Sequence, residues 1–540
     1  MIQVKGGFPY FLLAVTAILL WSCGEKGEEK GQGSVGDGRY GGTLVVGISG
    51  DIDGLNPVVA TSAGASNVMG QLYMSLARMN EQMEFEPDLA TSWEFSEDRL
   101  ELTYHLRKDV VWADGVPVTA RDARLGYELY TDPLVASPRI GNFDFIEDLI
   151  VVDDHTVKFL FNKVYPDQVF DSAVEIFPHH LLGDIDRVQI RTHPFNRDPL
   201  GCGPFKLKRW MSQQLVELVP NELYYKGRPY LDRVIFRIIP DQTSLLTQLE
   251  TGEIDLIEQI PPRDVSRIQR KNPDIKIYTT SGRAYNYIGW NNRHPLFQSP
   301  KVRRALTMAM DIEDIINSLL YGYGQPCYGP IPPIMKWAFK ENIRPLPYDP
   351  EAAKELLAEE GWADRDGDGW LDKDGQMFQF SMKTNLGNRE REDAVVMIQN
   401  DLGQIGVKVI PQIVEWTVFL DQVHQHDFEA YLSGWRARMS VDPTSVWHSK
   451  STEELNYICY ANPEVDRLIE LGRETVDRDV ARPIWHRFQE LVYDDQPYTF
   501  LYWREQVIGI HKRFRDCHPI PLSIYYHLED WWVPPEERRY

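Results

Sequence analysis

The order of apolar and polar positions divides the chain into short strands and amphipathic helices. Residues 41–48 open with two glycines and continue as an apolar run, which predicts a buried strand. A turn-rich loop follows at 51–57, with Asp, Gly, Asn and Pro in quick succession. Residues 100–106 alternate with a period of two, and residues 153–161 repeat that alternation after a turn signal. Between them, Thr119 is placed to cap a helix that begins at Ala120. The later half is mixed. Residues 300–320 read as one helix, with Val302, Ala305, Ala309, Ile312, Ile316 and Leu320 close to one face. Asp349 caps a helix with Pro350 in its first turn and a stop at Gly361. Residues 395–405 predict a helix, residues 407–410 a strand, and residues 483–493 a late helix. Strands and helices interleave without strict alternation, so the fold class is α/β to α+β rather than a barrel. No internal repeat is present.

The N-terminus adds a different signal. A single cation, Lys5, precedes an apolar run over residues 11–21. The run falls short of the ~20 residues a spanning helix needs and has the length of a secretory h-region. It ends in Leu20-Trp21-Ser22-Cys23-Gly24. A small residue just before Cys resembles the bacterial lipoprotein cleavage box, which implies that Cys23 becomes the new N-terminus and carries acyl chains. The alternative is a plain signal peptide with a chance Cys at its end. Residues 1–22 are thus a signal peptide, and residues 23–40, with almost nothing to bury, a flexible tether.

Composition narrows the classes. Hydrophobic residues make up 43% of the chain and aromatics 12%, as in an ordinary globular protein with a sizeable core. The net charge of −23 argues against nucleic acid as a partner. Of five Cys, none forms a C-x-x-C pair. With Cys23 lipidated, Cys202, Cys327, Cys459 and Cys517 allow three pairings or four buried thiols. No nucleophile elbow, Walker A loop, HExxH or dinucleotide fingerprint occurs, so no catalytic residues are assigned and the chain reads as a non-enzyme.

Several segments together resemble one family. Pro87-Asp88-Leu89-Ala90-Thr91-Ser92-Trp93-Glu94 leads into Tyr104-His105-Leu106-Arg107 and, a few residues on, Trp112-Ala113-Asp114-Gly115. Downstream come Pro199-Leu200-Gly201-Cys202-Gly203-Pro204, Gly252-Glu253-Ile254-Asp255 and Val302-Arg303-Arg304-Ala305-Leu306. In this order they are similar to the family 5 extracellular solute-binding proteins, which include the dipeptide-, oligopeptide- and nickel-binding components of ABC importers. The resemblance implies a two-lobe, periplasmic-binding-protein-like fold with an extra inserted domain, three domains in all. Lobe one would comprise residues 41–81, 191–285 and 501–540, the inserted domain 82–190, and lobe two 286–500. Crossings near residues 286–292 and 498–503 would join the lobes, which close over a ligand.

The same resemblance points to a pocket. Ser433-Gly434-Trp435-Arg436-Ala437-Arg438 matches the strand whose backbone meets the ligand in peptide-binding members. There, an Asp three residues after the Trp pairs with the ligand's α-amine; here that position is Arg438. A guanidinium repels an ammonium and favours a carboxylate. The alternatives are that Arg438 faces solvent or pairs with Asp442, which otherwise supplies the missing negative charge. Gly434, Trp435, Arg436, Arg438 and Asp442 are therefore candidate ligand residues. Tyr285 and Tyr287 join them from the first crossing, and Thr61 and Ser62 from the loop after Pro57. Strand-edge pairing through main-chain hydrogen bonds tolerates many ligand side chains.

Asp364-x-Asp366-x-Asp368-Gly369 resembles the first half of a calcium loop, with Asp372 at the ninth position. The twelfth position is Gly375 where a Glu belongs. A structural Ca²⁺ on Asp364, Asp366, Asp368 and Asp372 is one reading and a charged turn the other; no other cofactor is expected. The overall expectation is a monomeric, extracytoplasmic protein, lipid-anchored to a bacterial membrane. It would hand peptides or similar small solutes to ABC permease subunits. A metal chelate or sugar-like solute, or a lipoprotein enzyme or sensor partner, are the rival readings.

Overall fold

Two long antiparallel strands, Ile275–Trp290 and Tyr498–His511, run side by side through the protein. In this computed structural model, which describes residues 37–539, they join two groups of strands into one mixed sheet. On one side the sheet continues through Leu256–Ile257, Thr43–Ile48, Arg233–Ile238, Leu215–Pro220 and Phe205–Met211. On the other it continues through Ala430–Arg436, Gln379–Asn385 and Lys408–Val414. The proposed crossings are therefore the ends of two continuous strands rather than separate linkers.

The strand Thr43–Ile48 is buried along its whole length because both of its faces are covered. Leu44, Val46 and Ile48 enter one core, while Val45 enters another with Leu245, Leu249 and Val265. Asp255 accepts the Val45 backbone N–H at 3.0 Å and pairs with Arg513 at 2.8 Å, both side chains about 2% exposed. The Gly-Glu-Ile-Asp motif is thus a structural tie to the segment that follows the last strand.

Residues 90–161 supply a four-stranded antiparallel sheet, ordered Ala90–Phe95, Glu101–Leu106, Thr156–Phe161, Ile146–Asp153. Its alternating residues Leu102, Tyr104, Val157 and Phe159 point into the same core as Leu44 and Val46. This module has no core of its own. The capping at Thr119 takes a specific form: its backbone N–H donates to the Asp122 carboxylate at 2.6 Å, opening the helix Ala120–Thr131.

Three helices differ from the sequence reading, each because of an unrecognised cap. Residues 300–320 form two helices, Pro300–Met308 and Ile312–Leu320, since Asp311 accepts the Asp314 N–H and starts a second one. The helix expected at 395 begins at Arg389, where Asn388 caps it by accepting the Arg391 N–H. The late helix spans Arg478–Asp495, capped by Asp477, with Pro483 inside it rather than in its first turn. Cys202, Cys327, Cys459 and Cys517 are all buried free thiols, which settles the open choice against a disulfide among them. Cys23 and nearly all of the tether lie outside the described residues.

Candidate functional site

The strand Ala430–Arg436 pairs antiparallel with Ile275–Trp290, setting Trp435 opposite Tyr285 and Ser433 opposite Tyr287. These large rings share a face and pack into one aromatic cluster. Tyr287 stacks on Tyr498 with ring centroids 3.9 Å apart and lies parallel to Trp435 at 6.3 Å. Its hydroxyl meets that of Tyr431 at 3.1 Å. Tyr287 is only 1% exposed and does not reach a cavity wall. Its ring belongs to the same buried cluster as that of Tyr285 and does not line the cavity that Tyr285 reaches. Tyr285 packs edge-on against Trp503 at 4.7 Å and does line a cavity of about 260 Å³. Trp435, Arg436, Arg438 and Asp442 line it too, with Met335 and Trp447 on its apolar side.

Gly434 is not a cavity residue. A Cβ there would lie 2.4 Å from Asn286 Oδ1 and 2.6 Å from an Arg391 Nη2, so glycine lets those two side chains cross beneath the strand. Arg391 donates to Asn286 Oδ1 at 3.3 Å and to Asn385 Oδ1 at 2.9 Å. Burial holds its pKa below the usual guanidinium value. Asn286 in turn donates to Glu390 and to the Tyr502 hydroxyl, both at 2.9 Å.

The charges around the cavity answer the question left by Arg438. Asp442 pairs with Arg473 at 3.1 Å and accepts the Thr444 N–H at 3.1 Å, so its charge is committed. Arg436 and Arg438 are exposed and make no ion pair among the described residues. On the neighbouring strand, burial and the nearby Arg436 push Arg283 below its ordinary pKa. The cavity margin therefore carries two guanidiniums, Arg436 and Arg438, that no carboxylate answers among the described residues, although acids of residues 144–171 line the adjoining cavity.

The loop after Pro57 is tied down differently. Asp53 accepts the Thr61 N–H at 2.7 Å, the Thr61 hydroxyl at 3.0 Å and the Ser62 hydroxyl at 2.7 Å. Partial burial opposes ionisation of Asp53, but these donors outweigh it and hold its pKa below the carboxylate norm. Ser62 also accepts the Ala65 N–H at 3.2 Å, capping the helix Ala63–Leu72. The side chains of Thr61 and Ser62 are thus committed within the protein. Ser62 still lines a second cavity of about 710 Å³, between residues 47–64 and 242–263 on one side and 318–321, 389–393 and Arg504 on the other. Glu258, Glu390 and Arg504 on its walls were missed in the sequence. The signal for Glu258 was an acid set in the apolar stretch 254–260.

The acidic loop brings three of its four expected ligands together. Asp364, Asp366 and Asp368 offer carboxylate oxygens within 4.8 Å of one another, all exposed. Asp364 already accepts the N–H groups of Gly367 and Gly369, at 2.7 and 3.1 Å. Asp372 is not part of this set. It pairs with Arg365 at 3.0 Å and accepts the Arg365 N–H, because it sits on a short hairpin strand.

Comparison with known proteins agrees with this architecture. Residues 84–457 match the bacterial extracellular solute-binding proteins, family 5, middle region. The oligopeptide-binding protein AppA of Bacillus subtilis is 33% identical over 534 residues, covering 97% of each chain. Its solved structure, in complex with a nonapeptide, covers 92% of this chain and 99% of that one with a TM-score of 0.67. The ABC transporter substrate binding protein CtaP of Listeria monocytogenes is 26% identical, covers 92% of this chain and 100% of that one, and gives a TM-score of 0.79. NikZ of Campylobacter jejuni, in complex with Ni(L-His), is 25% identical over 91% of this chain and 99% of that one, with a TM-score of 0.69. The chain belongs to the family 5 bacterial extracellular solute-binding proteins, which bind solutes and are not enzymes.

Proposed function

We propose that this protein captures peptides outside the cytoplasm and delivers them to an ABC import permease, held at the membrane by lipid on Cys23. One observation carries the peptide reading. The strand Ala430–Arg436 pairs with Gln379–Asn385 only at Ala430 and Tyr431, so residues 433–436 have no strand on their second edge. An extended peptide can add to that edge through main-chain hydrogen bonds. The cavity beside Tyr285 and Trp435 then accepts an apolar side chain. The nonapeptide bound by AppA supports the same reading.

Arg436 and Arg438 favour a second reading, in which the carboxylates of a metal chelate dock at the cavity margin. NikZ, with its bound Ni(L-His), lends that reading some weight. Mass spectrometry of ligand carried through gentle purification separates the two. A mixture of short peptides supports the first; a single metal complex or a glycan overturns it. Anchoring is tested by Cys23→Ala, which is expected to move the protein from the membrane fraction to the soluble one. Retention in the membrane fraction would defeat that part.

A further inference from the structure

Seven charged residues line the 710 Å³ cavity, and six of them are answered within the protein. Arg504 pairs with Glu390 at 3.2 Å, Arg389 with Asp393 at 3.5 Å, and Arg263 with Asp264 at 3.6 Å. Asp51 accepts from the Ser212 hydroxyl, the Gln213 N–H and the Trp210 indole, at 2.6, 2.7 and 3.1 Å. Glu258 is the exception. Its Oε1 accepts from the Tyr525 hydroxyl at 2.6 Å and from Asn67 Nδ2 at 2.9 Å, two neutral donors. Among the described residues no donor reaches Oε2 and no cation pairs with the carboxylate. Nor is Oε2 one of the enclosed atoms left without a partner, so it opens on the cavity.

Glu258 is half-buried, and drawing a carboxylate even partly out of water without a cation is costly. Burial raises the Glu258 pKa, and the two neutral donors only partly oppose it. Tyr525 is itself held protonated by burial and by the Glu258 charge, so it remains a donor and orients the group. The second oxygen is left fixed, aimed at the cavity and short of one positive charge.

We infer that Glu258 receives the cationic amine of the ligand, its Oε2 accepting from the ammonium across the 710 Å³ cavity. This rests on the peptide reading and deepens it. Arg438 stands where an amine-binding Asp would be expected, and the inference moves that role to Glu258 on the wall of the 710 Å³ cavity. The ligand class becomes peptides or peptide-like solutes with a free amino group. Those without one gain nothing from Glu258.

The test uses two pools of pentapeptides, identical except that one is acetylated at the N-terminus. Retention on the whole protein through gel filtration is read by mass spectrometry, followed by titration calorimetry with a retained free-amine peptide. The wild type should retain the free-amine pool in preference to the acetylated one. Glu258→Gln keeps an acceptor for Tyr525 and Asn67, so its melting curve should match the wild type. The variant should lose about 10- to 100-fold in affinity for the free-amine peptide, as expected for one charge-assisted hydrogen bond. It should then bind both pools alike. Equal retention of the two pools by the wild type, or unchanged affinity in a folded Glu258→Gln, overturns the inference and leaves the peptide reading intact. Retention of neither pool overturns the peptide reading, and the inference with it.

Discussion

Two cavity walls, the loop 51–62 beside the 710 Å³ cavity and the strand Ala430–Arg436 beside the 260 Å³ one, are built on opposite principles. On one, residues 51–62 hold Asp53 inside a net of hydroxyl and backbone donors from Thr61 and Ser62, while Ser212, Gln213 and Trp210 of a neighbouring hairpin answer Asp51. On the other, the strand Ala430–Arg436 rests on stacked rings, and the guanidiniums of Arg436 and Arg438 have no ion-pair partner among the described residues. The first wall answers both of these aspartates and fixes a loop, while Glu258 beside it has no cation among the described residues. The second satisfies its aromatic hydroxyls but leaves cations and a strand edge free. Shape on one side and open valence on the other is what a binding protein needs to fix a pocket without specifying every ligand atom.

The contrast breaks most readily at the rings. Tyr287→Ala removes a side chain 1% exposed and leaves the Tyr431 hydroxyl without its partner, so it should lose about 3–5 kcal/mol of unfolding free energy. Denaturant titration measures this. A loss below 1 kcal/mol would mean that the aromatic floor does not hold the second wall (~1 kcal/mol is the ordinary cost of a point mutation).

Asp53→Ala is the equivalent cut on the first wall and should cost about 0.5–1.5 kcal/mol, since its donors are exposed and water partly replaces the lost acceptor. Its pH dependence sharpens the comparison. Asp53 has a folded pKa below its ordinary value of 3.8, so its contribution is present above pH 3.8 and disappears as pH falls through the folded pKa. The stability gap between wild type and Asp53→Ala should therefore be constant near neutrality and close in acid. A gap that widens in acid contradicts the assignment.

Arg438→Ala should change unfolding free energy by less than about 0.5 kcal/mol, because nothing in the fold relies on it. It should still weaken retention of peptides with a free C-terminal carboxylate, and leave C-terminally amidated ones unaffected. Wild-type retention of both kinds would make Arg438 a solvent-facing cation. The smallest effect belongs to the acidic loop, whose Asp364 is already satisfied by backbone N–H groups. A chelator should leave the melting curve in place; a clear drop in Tm would identify a structural Ca²⁺.

Much of this was legible in the residues. Alternation at 100–106 and 156–161 located strands whose burial alternates in step, and the family motifs located the main pocket strand. The misses share a cause: each depended on a partner distant in sequence or on an inconspicuous cap. Asn388 and Asp477 extended two helices, and Asp311 split a third. Tyr287 and Tyr285 sit two positions apart on one face and are both buried, yet only the fold shows that Tyr285 alone also lines the cavity. Glu258 lies three residues beyond a matched motif. Its significance depends on Tyr525 and Asn67, which are far away along the chain, and on the absence of a cation that only folding can reveal.

The long paired strands shift register between Ser281 and Tyr285, where an added Cβ on Gly282 would lie 1.7 Å from the Arg504 carbonyl oxygen. A displaced rung bends its strand and sharpens the local right-handed twist. Because the sheet is continuous across the described residues, any relative rotation of its halves must pass through this two-strand ribbon. A side chain at position 282 would collide with the Arg504 carbonyl and force that kink apart.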